Sequence, residues 1–174
     1  MDLKSRVFII DDDPIARQIL RSSLSRLGLE VMEFPDGKTA WDYFEKRAFC
    51  AVGETGLDFY WDKTHATEQY LAFHEQIEWA LEFDIPIVIH SRESVDECIR
   101  VVSEHQKGKL KGVFHCFSGS DRQAQQIIDL GFYLGIGGVV TFKNSGLYNV
   151  MENVSIDYIF LEIDDTYLSS VPCC

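Results

Sequence analysis

Val52-Gly53-Glu54-Thr55-Gly56-Leu57-Asp58-Phe59-Tyr60-Trp61-Asp62 is the stretch on which the reading of this chain turns. An apolar lead-in ends in an acid held between two glycines, and an aromatic, acidic loop follows. Three later stretches have the same design. Ile87-Val88-Ile89-His90-Ser91-Arg92-Glu93 ends an apolar run in a histidine, and so does Gly112-Val113-Phe114-His115-Cys116-Phe117-Ser118-Gly119. Tyr158-Ile159-Phe160-Leu161-Glu162-Ile163-Asp164 ends in an acid. Each run predicts a short buried strand that delivers a metal-type side chain at its carboxyl end. In parallel α/β folds that end is where sites are built. Glu54, His90, His115 and Asp164 are therefore the leading candidates for a site at one rim.

Upstream, Val7-Phe8-Ile9-Ile10 reads as a buried parallel strand. Asp11-Asp12-Asp13-Pro14 follows, with Asp13 as the N-cap and Pro14 at the first helical position. Ile15, Ile19, Leu20, Leu24 and Leu27 give a helical stripe that should face a core, and Gly28 stops the helix. A strand over Leu29–Met32, a turn at Pro35-Asp36-Gly37 and a helix marked by Ala40, Trp41 and Phe44 come next. Downstream, the predicted strands are Phe49–Val52, Ile87–Ile89, Lys111–Phe114, Phe132–Ile136 and Tyr158–Leu161, with a long loop over 53–66. Helices over 67–83, 93–106, 120–130 and 145–152 separate them. The alternation defines an α/β chain of seven βα-type units with a mostly parallel sheet. It reads as a single domain, 1–174, built from two pieces, 1–48 and 49–174, that share one sheet. Seven strands leave two architectures open: an incomplete eight-stranded barrel, or an open doubly wound, flavodoxin-like sheet.

The bulk numbers fit an ordinary soluble globular protein: 174 residues, 46% hydrophobic and 25% charged. No apolar run is long enough for a transmembrane helix, and Met1–Ile10 does not have the pattern of a signal peptide. The cytoplasm is the expected location. Cys50, Cys98 and Cys116 read as buried reduced thiols, and Cys173 and Cys174 are adjacent at the end. No CxxC spacing exists, which excludes a zinc knuckle or a redox motif built on one. The formal net charge is −12; residues 1–48 hold eight basic and nine acidic residues, residues 49–174 eight and nineteen. Such a surface repels nucleic acid unless cations or a local basic rim offset it. It is compatible with a metal-dependent phosphodiesterase, whose acids hold its cations.

Two family resemblances run through these motifs. GETGLDFYWD, IPIVIHSRES, GVFHCFSGS, LGFYLGIGGVVTFKN and LEIDDTYL, in that order and spacing, resemble the TatD family of metal-dependent hydrolases and DNases. That likeness covers residues 49–172. FIIDDDPIARQILRSSLSRLGLEVMEFPDGKTAWDYF resembles the first third of a response-regulator receiver domain, a CheY-like fold, over residues 5–47. Asp11 and Asp12 fit that family's Mg²⁺-binding pair. The strand of its phospho-accepting Asp is replaced by Cys50-Ala51-Val52-Gly53-Glu54, so phosphotransfer is not expected. The whole reads as a chimera. Five of the seven strands then come from a barrel family, so an incomplete TIM-barrel-like sheet is expected, with the flavodoxin-like sheet as the alternative.

The TatD resemblance also implies a ligand set. In that family a His-x-His pair, a Glu, two His and an Asp hold metals for phosphodiester hydrolysis. Here it assigns Glu54, His90, His115 and Asp164 as ligands, with Asp164 and Glu54 catalytic. The His-x-His pair is missing. Asp11, Asp12 and Asp13 stand where the first strand ends. Asp11 and Asp13 share a side of an extended segment, and as substitutes they would favour Mg²⁺ or Mn²⁺ over Zn²⁺. The plain alternative is a helix cap with solvated acids. Four ligands of six predict one weak divalent-cation site (Mg, Mn or Zn) and weak or lost activity on DNA or another phosphodiester. A catalytically silent chimeric scaffold is the rival reading, and a phospho-receiver module a distant third. Arg92 and Lys143 are candidate phosphate contacts. Asp58 and Asp62 read as solvated loop acids, and His65, His74 and His105 as inert surface residues. Exposed sheet edges beside the last strand are the expected contact of a homodimer, with no membrane partner.

Overall fold

A computed structural model describes residues 6–26, 28–44 and 50–162. The chain divides into two compact units, Met1–Cys50 and Ala51–Cys174. No helix among the described residues is long and apolar enough to cross a membrane.

The first unit contains β1 (Arg6–Ile10), α1 (Pro14–Arg26), β2 (Glu30–Phe34) and α2 (Gly37–Phe44). β1 and β2 pair in parallel, from Arg6 opposite Glu30 to Ile10 opposite Phe34. Ile9, Phe34 and Ala40 are buried, and the rings of Phe8 and Phe34 lie 4.8 Å apart. Asp13 caps α1 as expected: its Oδ1 accepts from the Ile15 amide at 2.8 Å, with Pro14 as the first helical residue. The α1 stripe departs from expectation, because Ile15, Ile19 and Leu20 are exposed. Among the described residues this unit's sheet has two strands, a narrow face for such a stripe.

The second unit contains β3 (Val52–Asp58), α3 (Ala66–Glu82), β4 (Ile87–Arg92), α4 (Val95–His105), β5 (Gly112–Phe114), α5 (Asp121–Asp129), β6 (Tyr133–Ile136), α6 (Leu147–Glu152) and β7 (Ile159–Leu161). All its strand pairs are parallel, and their order is β3-β4-β5-β6-β7. Sequential order is that of a barrel arc, whereas a flavodoxin-like sheet reverses order at a switch point. The fold is therefore α/β with parallel sheets, a truncated TIM-barrel-like arrangement. Among the described residues β1 and β2 make one sheet and β3 to β7 another.

The core lies between the five-stranded sheet and its helices. Leu57, Ile87, Ile89, Phe114 and Leu134 from the strands are fully buried with Phe73 and Ile77 of α3 and Val101 and Val102 of α4. Phe114 meets Phe132 edge-on at 5.7 Å. Ser120 and Gln123 form a capping box that starts α5. Buried Ser94, just before α4, donates its hydroxyl to the Leu57 carbonyl at 2.5 Å and ties that helix to β3.

β3 corrects the sequence reading. The strand runs through Val52–Asp58, where a loop was expected from residue 53, and Phe49 lies outside the described residues. Val52 pairs with Ile87 but Thr55 with Ile89, so β3 carries one extra residue at Gly53-Glu54. Such a bulge re-aims side chains. Beyond it, Gly56 sits opposite His90 and Asp58 opposite Arg92.

Candidate metal centre

Glu54 from the β3 bulge comes together with four side chains from the carboxyl ends of β3, β4, β5 and β7. Glu54 projects from the β3 bulge. Its Oε2 lies 3.6 Å from His90 Nδ1, and its Oε1 lies 3.3 Å from His115 Nε2. His90 comes from β4, and its Nε2 is 3.1 Å from Asp58 Oδ2. His115 follows β5, its amide donating to the Ile89 carbonyl at 2.8 Å. Its Nδ1 is 3.0 Å from Glu162 Oε2, just beyond β7. Each imidazole thus turns one nitrogen to Glu54 and the other to a second carboxylate.

Backbone geometry makes room for this cluster. A Cβ on Gly135 would lie 2.5 Å from Glu162 Oε2, so the carboxylate rests against the bare backbone of β6. Glu162 Oε1 accepts from the Cys116 amide at 2.5 Å, and Cys116 holds φ at +48° to present it. Non-glycine residues in that region carry strain and recur at functional sites. His115, Cys116 and Glu162 offer an imidazole nitrogen, a thiol and a carboxylate oxygen within 4.8 Å of one another.

Charge on the rim follows from these contacts. The Glu54 carboxylate, together with Asp58, holds the His90 imidazole above its usual pKa of 6.5 despite burial. Burial pushes the Asp58 carboxyl up. The Tyr60 amide and the His90 ring outweigh it, and the pKa falls below 3.8. An open cleft of about 460 Å³ runs beside the cluster, lined by Glu54, Thr55, Asp58, Gln69, Gln76 and His90. The buried Thr55 hydroxyl donates to the Gln76 side-chain oxygen in its wall. A larger cleft of about 820 Å³ is lined by Asp84, Gly108, Lys109, Lys111 and Gly131, on turns that lead into the strands. That end of a parallel sheet serves stability rather than chemistry.

Of the expected site residues, Glu54, His90 and His115 meet, while Asp164 lies outside the described residues. Asp11 and Asp13 accept from the amides of Asp13 and Ile15 at 2.8 Å each, within their own turn, and Asp12 is exposed beside them. Arg92 stacks its guanidinium over Tyr60, and Lys143 is exposed on the turn before α6. Sequence reasoning missed Asp58, Glu162 and Cys116. Asp58 had a readable signal, since Glu54, Gly56 and Asp58 alternate and share one face of a strand. His74 and His105 are not isolated surface residues either. His74 Nδ1 meets His105 Nε2 at 2.7 Å, and His105 Nδ1 meets Glu78 at 2.7 Å.

Imidazoles and carboxylates thus gather at the carboxyl rim of a parallel α/β arc, the end at which such folds build their sites. The sequence matches the TatD related DNase family across residues 31–174, and the chain belongs to that family. The match begins within β2, and a receiver-like first piece is not shown. The chain is 36% identical over 147 residues to the uncharacterized metal-dependent hydrolase YabD of Bacillus subtilis, covering 83% of this chain and 58% of that protein. It is 32% identical over 120 residues to the 3'-5' ssDNA/RNA exonuclease TatD of Klebsiella pneumoniae, covering 68% and 46%. The crystal structure of the TatD homolog YjjV from Escherichia coli superposes with a TM-score of 0.76 at 24% identity, over 97% of this chain and 70% of that one. The chain spans about half the length of the curated relatives it matches.

Proposed function

We propose that this chain carries a metal-dependent phosphodiesterase site of the TatD type that acts on nucleic-acid ends. The observation that supports it most is Glu54 shared between His90 and His115, each ring held from behind by Asp58 or Glu162. Imidazole ligands of metals are oriented by such a second carboxylate. The donor set fits a divalent cation: Glu54, His90 and His115 would hold it, with Asp164 added by resemblance. Two imidazoles with carboxylate suit Zn²⁺ or Mn²⁺, and more oxygen ligands would favour Mg²⁺.

A bound cation would supply Lewis acidity against the charge of a phosphodiester. The chain's own groups do the rest. Glu162 fixes the His115 ring so that Nε2 faces Glu54, and Asp58 fixes His90 so that Nδ1 does. Glu54 also stands ready as a proton acceptor at the cleft. The likeness to the Klebsiella ssDNA/RNA exonuclease supports single-stranded nucleic acid as the substrate class. In this reading the two units act as one domain in the cytoplasm, and Arg92 and Lys143 contact phosphate. A second copy pairs along β7, where Phe160 and Leu161 are exposed.

The rival reading is a silent scaffold. None of the five histidines is spaced as His-x-His, which favours it. In that reading residues 5–47 keep the receiver-like ancestry that their resemblance implies. Thermal melts after chelation, with and without Mn²⁺ or Zn²⁺, separate the two. A cation that binds only the folded state adds about 2.7 kcal/mol at a hundredfold excess over its dissociation constant. We expect such a shift, together with metal-dependent cleavage of a labelled single strand, and loss of both in Glu54→Gln. A cooperative melt that ignores metal overturns the hydrolase reading.

A further inference from the structure

We infer that Tyr60, Trp61 and Arg92 form a stacking platform for an unpaired base at the end of a single-stranded nucleic acid. The inference rests on the phosphodiesterase reading and adds a binding site beside it. Trp61 is 80% exposed and Tyr60 51% exposed, and their rings meet edge-on at 4.7 Å. The Arg92 guanidinium lies 4.2 Å from the centre of the Tyr60 ring and 5.9 Å from that of Trp61. Aromatic faces with a stacked cation bind bases without regard to sequence.

The loop holds these rings outward in a fixed arrangement. The Phe59 amide donates to the Arg92 carbonyl at 2.9 Å, and the Tyr60 amide to Asp58 Oδ1 at 3.0 Å. Asp62 accepts from both the amide and the hydroxyl of Thr64, at 2.8 and 2.6 Å. A tryptophan so exposed adds little to the core, while a preorganised loop lowers the cost of binding.

The place and charge of the platform indicate what it takes. Asp58 ties the Tyr60 amide with one oxygen and His90 Nε2 with the other, so platform and metal cluster share a residue. A terminal base stacked on Trp61 would therefore carry its phosphodiester towards the cluster. The net charge of −12 weakens affinity for the phosphate backbone, so base faces must supply much of the binding. Bases within a duplex are already stacked and paired, and they offer no such face.

The test is fluorescence anisotropy in chelator, comparing a labelled oligothymidine strand with an abasic strand of equal length. The full chain should prefer oligothymidine by roughly ten- to a hundredfold. Trp61→Ala should abolish that preference and Trp61→Phe keep most of it. Equal binding of the two strands by the parent, or an undiminished preference in Trp61→Ala, overturns the platform. The comparison on the parent and Trp61→Phe needs no folded alanine variant. No metal is present, so the outcome is independent of the hydrolase reading. A protein that prefers oligothymidine but whose melt ignores Mn²⁺ keeps the platform and loses the hydrolase, and the reverse result loses the platform alone.

Discussion

Replacing Gly56 by alanine should part the two strands that carry Glu54 and His90. Gly56 faces His90 across the β3–β4 ladder and holds φ at +141°. An added Cβ would stand 2.1 Å from the His90 carbonyl oxygen, a backbone atom that no side-chain rotation can move. Carbon and oxygen approach to about 3.3 Å, so the strands must separate by roughly 1 Å. A ladder bond stretched from about 2.9 Å to about 3.9 Å is no longer a hydrogen bond. Two such losses cost about 1 kcal/mol each, and alanine at this φ adds about 1–3 kcal/mol. The total, about 3–5 kcal/mol, lowers the melting temperature by roughly 6–20 °C in a chain of this length. The assay is a calorimetric melt beside Gly108→Ala, a residue at φ +81° whose Cβ would meet nothing within 4 Å. That control bears the conformational cost alone and should fall by only a few degrees. The metal-induced shift should vanish in Gly56→Ala and survive in Gly108→Ala. If the two variants melt together, the close approach of β3 to β4 does not hold the site.

Metal-free stability should decline as pH rises above the ordinary histidine range. The folded pKa of His90 is raised, chiefly by Glu54, so its contribution is complete below about pH 6.5 and is lost as pH climbs through the folded value. Urea melts across that interval should show a shallower slope in His90→Gln, and equal slopes would contradict the assignment. Burial pushes the Cys98 thiol up to about 11, so iodoacetamide at mildly alkaline pH should spare it while the exposed Cys50 reacts. Peptide mass spectrometry reads the difference, and equal labelling of the two would show that α4 opens readily.

The rim was legible because three chemistries coincide at strand ends. An apolar run marks each strand, a ligand-type side chain ends it, and parallel topology sends every such end to one side. Helix periodicity was equally clear: α3 was expected over 67–83 and runs from Ala66 to Glu82. β3 was misread for a physical reason. Two glycines around an acid usually signal a turn. Here they let backbones approach, since a Cβ on Gly53 would stand 2.6 Å from Val88 Cβ and one on Gly56 would strike His90. Pairing with β4 overrides local propensity. Reading 53–58 as loop then hid Asp58, which shares a face with Glu54 only once the segment is a strand. The His74–His105 contact was illegible because it joins α3 to α4, and helical periodicity does not say which two faces meet.

The acids of the rim bear on the choice between an enzyme and a silent scaffold. Glu54, Asp58 and Glu162 crowd around two imidazoles. Three carboxylates of like charge thus stand around two imidazole rings. Like charges at this spacing repel, which offsets part of what Glu54 and Asp58 gain from the His90 ring. Leu57, Ile89 and Phe114 already pack the core beneath without any of the three. Glycine at 135 and positive φ at Cys116 are further local costs, and both accommodate Glu162. Sites that break local rules together, with no gain in packing, are where function is expected. A divalent cation among these groups turns the same repulsion into binding energy, and the arrangement therefore supports a metal site over a scaffold that merely folds.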